Sequence, residues 1–383
     1  MTGYPLQPDA MTTSFLLTHP NGQILRADGD RASLSFLGDD ATLWRLRGEQ
    51  FESVTGALSL PATLVGTDEL GHAVYRIAAN DALCEPLADT YAARPGPSRL
   101  PSEHLAEMRE TGYTVLENVL DAAAIERFKQ AAAKNRAKRF AEEDPNDGFF
   151  WMRDGLVWSA DLARGSTHPV AVWLLQSYLS TDNIHFCHQP VITTVKPAKE
   201  MLNTFPEGGW HSDYPYHPGV FPNEDWPAEP IFGAQFNICI DAFTAEAAAT
   251  QFVPGSHRRL EFPNEAFNLG GTRMGVGQHA EVAQLLAPAG SALLYDARTW
   301  HRACHELNVS GGDRIAILNA VAPAWVRPMS EKTWMLPRWE DAPARAALTP
   351  RECAEIERLC MSETASTPEG MPALQERIAL EDR

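Results

Sequence analysis

Three things are scarce in this chain. No apolar run reaches the roughly 18 to 20 residues that a membrane-spanning helix needs, and the opening MTGYPLQPDAMTTSFLL lacks the basic flank and apolar stretch of a secretory leader. Both absences lead us to expect a cytoplasmic protein. Positive charge is also short: 32 Lys and Arg against 50 Asp and Glu give a formal net charge of −18. Such an acidic surface repels nucleic acid and anionic membranes before contact, so neither is expected as a partner. The six cysteines, Cys84, Cys187, Cys239, Cys304, Cys353 and Cys360, contain no C-x-x-C pair. That leaves neither a zinc ribbon nor a disulfide framework, and reduced thiols are the default.

Apolar matter is plentiful. At 383 residues and 44% apolar content, the chain can bury a full core as one large domain and a smaller one. From Ser14 to about Ala82, short apolar segments alternate with turn dipeptides: SFLLT, Asn21-Gly22, QILR, Asp28-Gly29, RASLSF, Gly38-Asp39-Asp40, ATLWRLRG. This predicts a meander of hairpins, a small all-β domain. The stretch EPLADTYAARPGPSRLPSE, with Pro86, Pro95, Pro97 and Pro101, reads as a linker, so this domain and its linker are expected over 1–95. Next, HLAEMRETG predicts a helix ending at Gly112, YTVLENVL a strand, and Asp121 the cap of a helix with Ile125 and Phe128 on one face. Further strands are predicted at HFCHQPVITTV, PIFGAQFNICI, TQFVPG, GSALLYDAR and DRIAILNAV. Short strands with long connections and few helices describe an antiparallel jelly roll rather than a parallel βαβ sheet. That core is expected over 96–340. Over 341–383 a helical extension is expected, opened by Thr349, Pro350 and Glu352 as cap, first-turn proline and capping acid.

The chemistry-bearing stretch is WHSDYPYHP, Trp210 to Pro218. On an extended strand His211 and Asp213 point to the same face and can reach one ion. About one chance H-x-[D/E] is expected in a chain with twelve histidines, so the pair is weak evidence alone. A second such pair, His279-Ala280-Glu281, lies in QHAEVAQLLA, which reads as helix, where residues two apart do not face each other. A third ligand is offered by GSALLYDARTWH, an apolar strand with His301 just beyond it. Two histidines and one carboxylate leave the other positions of the ion open, the arrangement of non-haem Fe(II) oxygenases. Zinc would more often receive a third histidine or a cysteine. A keto-acid cosubstrate would also need a cation for its distal carboxylate. Arg314, which begins RIAIL, supplies a planar guanidinium suited to that task.

The segments GYTVLENVLDAAAIERF, WHSD, VPGSHR (Val253 to Arg258) and GSALLYDARTWH followed by RIAIL, in that order, resemble the phytanoyl-CoA dioxygenase-like family of Fe(II)/2-oxoglutarate oxygenases from about residue 100 to about 330. The first 95 residues fall outside the resemblance. AAAT, Ala247 to Thr250, stands where the family has an Asn-Gly turn. The resemblance implies a double-stranded β-helix, iron at His211, Asp213 and His301, 2-oxoglutarate anchored by Arg314, and O2 as co-reactant. Asn237 and Lys196 are further cosubstrate candidates. Trp210, Tyr214, Tyr216, Trp226 and Trp300 are candidates for an apolar wall around a substrate, and plain core is an equal reading for each. His257 in VPGSHR reads as a structural hydrogen-bonder. GVGQHA (275–280) has the spacing of a dinucleotide fingerprint without its βαβ context, and is set aside. The expected reaction is hydroxylation or another oxidation of an unactivated C–H bond in a small organic substrate, a natural-product intermediate or amino-acid-like acid, since no phosphate-binding run for CoA is evident. Two other classes stay open on the residues alone: a cupin-type metal enzyme that does not use 2-oxoglutarate, and a binding protein with an inactive oxygenase core.

Overall fold

The computed structural model describes residues 13–77, 90–140, 150–152, 154–198, 210–213, 231–259, 263, 282–304, 307–327 and 335–361. The chain divides into two compact units, one of residues 1–103 with 349–351, the other of residues 104–348 with 352–383.

The described residues of the first unit are mainly β. Its strands are β1 Phe15–Thr18, β2 Ile24–Asp28, β3 Arg31–Ser35, β4 Leu43–Arg47, β5 Gln50–Ser53, β6 Ser59–Thr67, β7 Ala73–Ile77 and β8 Thr90–Pro95. They pair in the order β3-β2-β1-β4-β5-β6-β7-β8, and β1 also pairs with β8, so six strands close a ring. Two expectations are corrected here. The chain is not a plain meander, because β4 returns to β1 instead of continuing from β3. The stretch read as linker is partly strand: TYAARP alternates in burial, with Tyr91 and Ala93 pointing inward. Period-two alternation outweighed the prolines, which cluster at the strand's end where a missing N–H costs nothing. The interior is filled by Leu17, Leu25, Trp44, Phe51, Leu60, Ile77 and Tyr91.

The second unit begins within α1 Pro101–Thr111 and continues with β9 Tyr113–Leu116 and α2 Ala122–Phe140. Asp121 caps α2 by accepting the Ala124 N–H at 2.7 Å, and Ile125 and Phe128 are buried. After β10 Phe150–Met152 come three helices, α3 Gly155–Trp158, α4 Ala160–Ser166 and α5 Pro169–Leu179. They lie ahead of the strands whose connections were expected to hold few helices. Nearly every side chain of PVAVWLLQSYL is buried, so α5 carries no amphipathic stripe by which to be recognised. It packs on the strands that follow.

Those strands are β11 Ile184–Phe186, β12 Val191–Val195, β13 Ala234–Cys239, β14 Gln251–Phe252, β15 Ala283–Gln284, β16 Ala292–Asp296, β17 His301–Arg302 and β18 Arg314–Pro323. The large antiparallel sheet has the order β10-β12-β18-β13-β16-β9, with β11 also on β18; the small one is β15-β14-β17. Together they form the mainly β jelly-roll core. The strand β15 falls where QHAEVAQLLA reads as helix. Good helix formers are overridden there because Ala283 and Gln284 complete a ladder with Phe252 and Gln251. The segment 279–281 and GVGQHA lie outside the described residues.

Strand β13 sits at the sheet's centre, flanked by β16 and β18. One face of it carries Ala234, Phe236 and Ile238, and the Phe186 ring meets Phe236 edge-on at 6.4 Å. The opposite face carries Gln235, Asn237 and Cys239. In register they lie beside Ala320, Leu318 and Ala316 of β18 and Tyr295 and Leu293 of β16. That polar face belongs to the site.

Candidate metal centre

His211 and His301 form an isolated antiparallel bridge, each donating its N–H to the other's carbonyl at 3.0 Å. Asp213 is tied by its N–H to the Ala297 carbonyl at 2.8 Å. These backbone bonds bring the two distant histidines side by side, with ring centroids 4.4 Å apart. The Nε2 of His301 lies 3.7 Å from Asp213 Oδ2. One ligand atom from each of His211, Asp213 and His301 falls within 4.8 Å of the others, a spacing that a single ion can bridge. The site grades from exposed at His211 to buried at His301.

His301 is prepared for a metal. Its Nδ1 faces the Thr299 carbonyl at 2.9 Å. A carbonyl only accepts, so Nδ1 carries the proton and Nε2 keeps its lone pair for an ion. Burial lowers the imidazole pKa, with the Asp213 charge pulling the other way, so the ring is neutral and ligand-ready at pH 7. Phe252 stacks on it, with ring planes 21° apart.

The inward row of β13 runs from this cluster towards Arg314. Gln235 donates its amide to Asp213 Oδ2 at 2.9 Å. Asn237 donates to the Tyr295 hydroxyl at 3.1 Å, and its own Oδ1 is buried without a partner among the described residues. Burial, followed by the Asp213 charge, raises the Tyr295 phenol pKa well above its ordinary value, so it stays a neutral hydroxyl. Cys239 pairs in register with Ala316, two positions along β18 from Arg314. Burial pushes the Cys239 thiol up to about 12, with Arg314 opposing.

Arg314 is 5% exposed. Its guanidinium lies over the Phe243 ring at 4.0 Å, and Nε and Nη1 find no hydrogen-bond partner among the described residues. Burial lowers its pKa to about 10, with Cys304, Cys239 and Asp241 opposing. It therefore remains a cation at pH 7. A buried cation with two idle donors is costly unless an anion completes it, and a carboxylate matches its planar fork. The donor set thus fits both an iron ion and an anionic cosubstrate.

Other sequence candidates fall as follows. Lys196 is half-buried and follows Val195, the cross-strand partner of Arg314. Trp210 and Trp300 pack with Val253 and Val282 in a buried cluster. Tyr214, Tyr216 and Trp226 lie outside the described residues. His257 is buried, its Nε2 3.3 Å from the Arg109 carbonyl, and stands apart from the three-residue cluster. Two residues were missed from sequence, Gln235 and Tyr295. Only their inward parity on strands predicted as such could have indicated them.

A jelly roll that gathers two histidines and a carboxylate at one site has the architecture of the non-haem Fe(II) oxygenases. Residues 108–316 match the family described as phytanoyl-CoA dioxygenase (PhyH), and the chain belongs to that family. Membership implies Fe(II), 2-oxoglutarate and O2 as cofactor, cosubstrate and oxidant. The chain is 26% identical over 213 residues to an uncharacterized protein of Mycobacterium tuberculosis, covering 56% of this chain and 64% of that one. A Mycobacterium bovis protein matches equally. The chain thus spans less than two thirds of the length of these relatives. Over 123 residues it is 30% identical to a dioxygenase of Aspergillus hancockii, covering 32% and 35% of the two chains. Among solved structures it is similar to the non-heme alpha ketoglutarate dependent epimerase SnoN from nogalamycin biosynthesis, with a TM-score of 0.38 and 16% identity over 58% of this chain and 83% of that one. It is likewise similar to AviO1 from Streptomyces viridochromogenes, with a TM-score of 0.40 and 16% identity over 58% and 94%. No described helix is long and apolar enough to cross a membrane.

Proposed function

We propose that this chain is an Fe(II)/2-oxoglutarate-dependent dioxygenase that hydroxylates an unactivated C–H bond of a small organic substrate, a natural-product intermediate or an amino-acid-like acid. His211, Asp213 and His301 are the metal ligands, Arg314 anchors the distal carboxylate of 2-oxoglutarate, and Asn237 borders the path between them. When bound there, iron with 2-oxoglutarate supplies oxygen activation, in which O2 is split between succinate and the substrate while CO2 leaves. The chain's own residues do the positioning. The Thr299 carbonyl holds His301 in its coordinating tautomer, and Phe252 fixes the ring from one side. Buried aromatic and aliphatic side chains around β16 exclude water, which strengthens every charge interaction in the site.

The observation that carries this proposal is Arg314, a buried cation with two donors that have no partner among the described residues, on the same face as the cluster. A metal enzyme without a dicarboxylate cosubstrate has no use for it, and a binding protein with a dead core has no need of the ligand-ready tautomer at His301. The test is succinate release from 2-oxoglutarate by the purified chain with Fe(II) and O2, read against a panel of small acids and alcohols by mass spectrometry. A gain of one oxygen in a panel member, lost in Asp213→Ala, is expected. Metal binding without any 2-oxoglutarate consumption would sink the proposal.

A further inference from the structure

His211 and His301 hold each other by two backbone hydrogen bonds, a bridge in which Asp213 takes no part. Asp213 lies outside the named strands, its carboxylate is about a quarter exposed, and among the described residues its backbone is tied by one bond, to Ala297. Gln235 is its opposite, set in the central strand and paired in register with Tyr295 on one side and Ala320 on the other. Between them runs the 2.9 Å contact from Gln235 Nε2 to Asp213 Oδ2. A carboxylate only accepts, so the amide must present its nitrogen. The same Oδ2 faces His301 Nε2 at 3.7 Å.

Resting on the metal-centre assignment above, we infer that Gln235 is a positioning residue that holds Asp213 as a one-oxygen ligand. Coordination arithmetic gives the reason. Two histidine nitrogens and one carboxylate oxygen leave three positions of an octahedral ion, and a chelating keto acid with O2 needs all three. A carboxylate free to rotate can bind through both oxygens and consume one of them. The Gln235 amide occupies a lone pair of Oδ2 and fixes the carboxylate plane from a rigid strand, so the second oxygen does not swing onto the ion. Outer partners of this kind set both the affinity and the geometry of a metal site. No neighbour of Gln235 on its own strand can replace it, because Ala234 and Phe236 point to the opposite face.

The test uses the full chain with Co(II) as probe, read by titration calorimetry and by the visible d–d spectrum, without turnover. Gln235→Met keeps the length and removes the donor. It is expected to weaken Co(II) binding roughly ten- to hundred-fold and to move the d–d bands to a higher coordination number, while metal-free unfolding stays near that of the parent. In an Asp213→Ala background the same substitution is expected to change nothing, because the residue acts through that carboxylate. Unchanged affinity and spectrum in Gln235→Met overturn the inference. So does an equal loss in the Asp213→Ala background, which would place the effect in the strand. Should Gln235→Met fail to fold, Gln235→Asn, whose donor falls short of Asp213, carries the same expectations. A parent chain that binds no Co(II) would remove the metal-centre assignment itself, and this inference with it.

Discussion

Arg298 grips both oxygens of Asp296, the residue two positions before it. Its Nε reaches Oδ1 at 2.9 Å and its Nη2 reaches Oδ2 at 2.8 Å. The Arg298 N–H adds a bond to Oδ1 at 2.7 Å, and the Tyr178 hydroxyl donates to Oδ2 at 2.6 Å. Asp296 is fully buried yet has each oxygen satisfied. The clamp closes the turn between β16 and β17, and that turn delivers the Thr299 carbonyl to His301.

Removing one partner of a buried pair leaves the other charge uncompensated, a loss of roughly 3 to 5 kcal/mol. Arg298→Leu should therefore lower the unfolding free energy of the second unit by that amount and weaken metal binding with it. Denaturation and Co(II) titration of the same preparation check both. A variant that loses metal with its stability intact would show that the clamp orients the turn without holding the fold.

Arg314 should show the reverse balance. Its cation is buried without a described partner, so Arg314→Met relieves a desolvation cost and should raise the stability of the cosubstrate-free protein by about 1 to 4 kcal/mol. The same change leaves the distal carboxylate of 2-oxoglutarate unpaired at a cost of roughly 2 to 5 kcal/mol. That corresponds to about thirty-fold to a few thousand-fold in apparent KM. Metal content should stay at the parent level, since no ligand is touched. The folded pKa of about 10 lies below the ordinary arginine value, so the burial cost is constant across pH 6 to 9 and relaxes only above 10. Unchanged 2-oxoglutarate affinity would transfer the anchoring role to another cation, with Lys196 next in line.

Ala248 has a φ of +57° and is fully buried, packed with Val195 and Cys304. Left-handed backbone suits glycine or asparagine. Ala248→Gly should still be nearly neutral. Relief of about 1 to 2 kcal/mol is offset by roughly 0.5 to 1 kcal/mol of glycine backbone entropy and about 0.8 kcal/mol of lost methyl burial. Ala248→Val, which joins β-branching to overfilling, should cost about 2 to 4 kcal/mol. Chemical denaturation of the two variants side by side decides the point.

Burial lowers the His257 pKa, with the Asp296 charge opposing. As pH falls through 6.5 the unfolded chain takes up a proton that the folded chain refuses, so stability falls with falling pH. One such group contributes at most about 1.4 kcal/mol per pH unit. His257→Gln should flatten the stability profile between pH 7.5 and 5.5 by up to that slope, measured on metal-free protein. An identical slope in the variant would assign the acid limb to other groups.

The meeting of His211, Asp213 and His301 was legible in sequence because His211 and Asp213 share a local period and His301 follows a strand with clear signals. The burial of Arg314 was legible for the same reason, since its place at the head of RIAIL sets its parity. What escaped was nonlocal. Gln235 and Asp213 are 22 positions apart, and their meeting depends on how separate segments cross. The helix α5 escaped because burial on all sides erases periodicity. Strand β8 escaped because proline signals masked its alternation, and β15 because a two-residue ladder overrides the helix propensity of its neighbours.

The seam between β13 and β18 has one last consequence. The Ile315 N–H donates to Asp241 Oδ2 at 2.7 Å, the Ile315 carbonyl accepts from both Ile240 and Asp241, and Lys129 pairs with the other carboxylate oxygen of Asp241. The register beside Arg314 is thereby pinned. Residues on one face of a strand recur about every 7 Å, so a slip of β18 would move the guanidinium by that step or turn it to the far side. The distance from the His211, Asp213 and His301 cluster to the Arg314 guanidinium is accordingly stepped rather than continuous. Under the proposed function, a change to a shorter or longer dicarboxylate would come through side-chain length at positions 239, 314 and 316, because the strands themselves cannot slide.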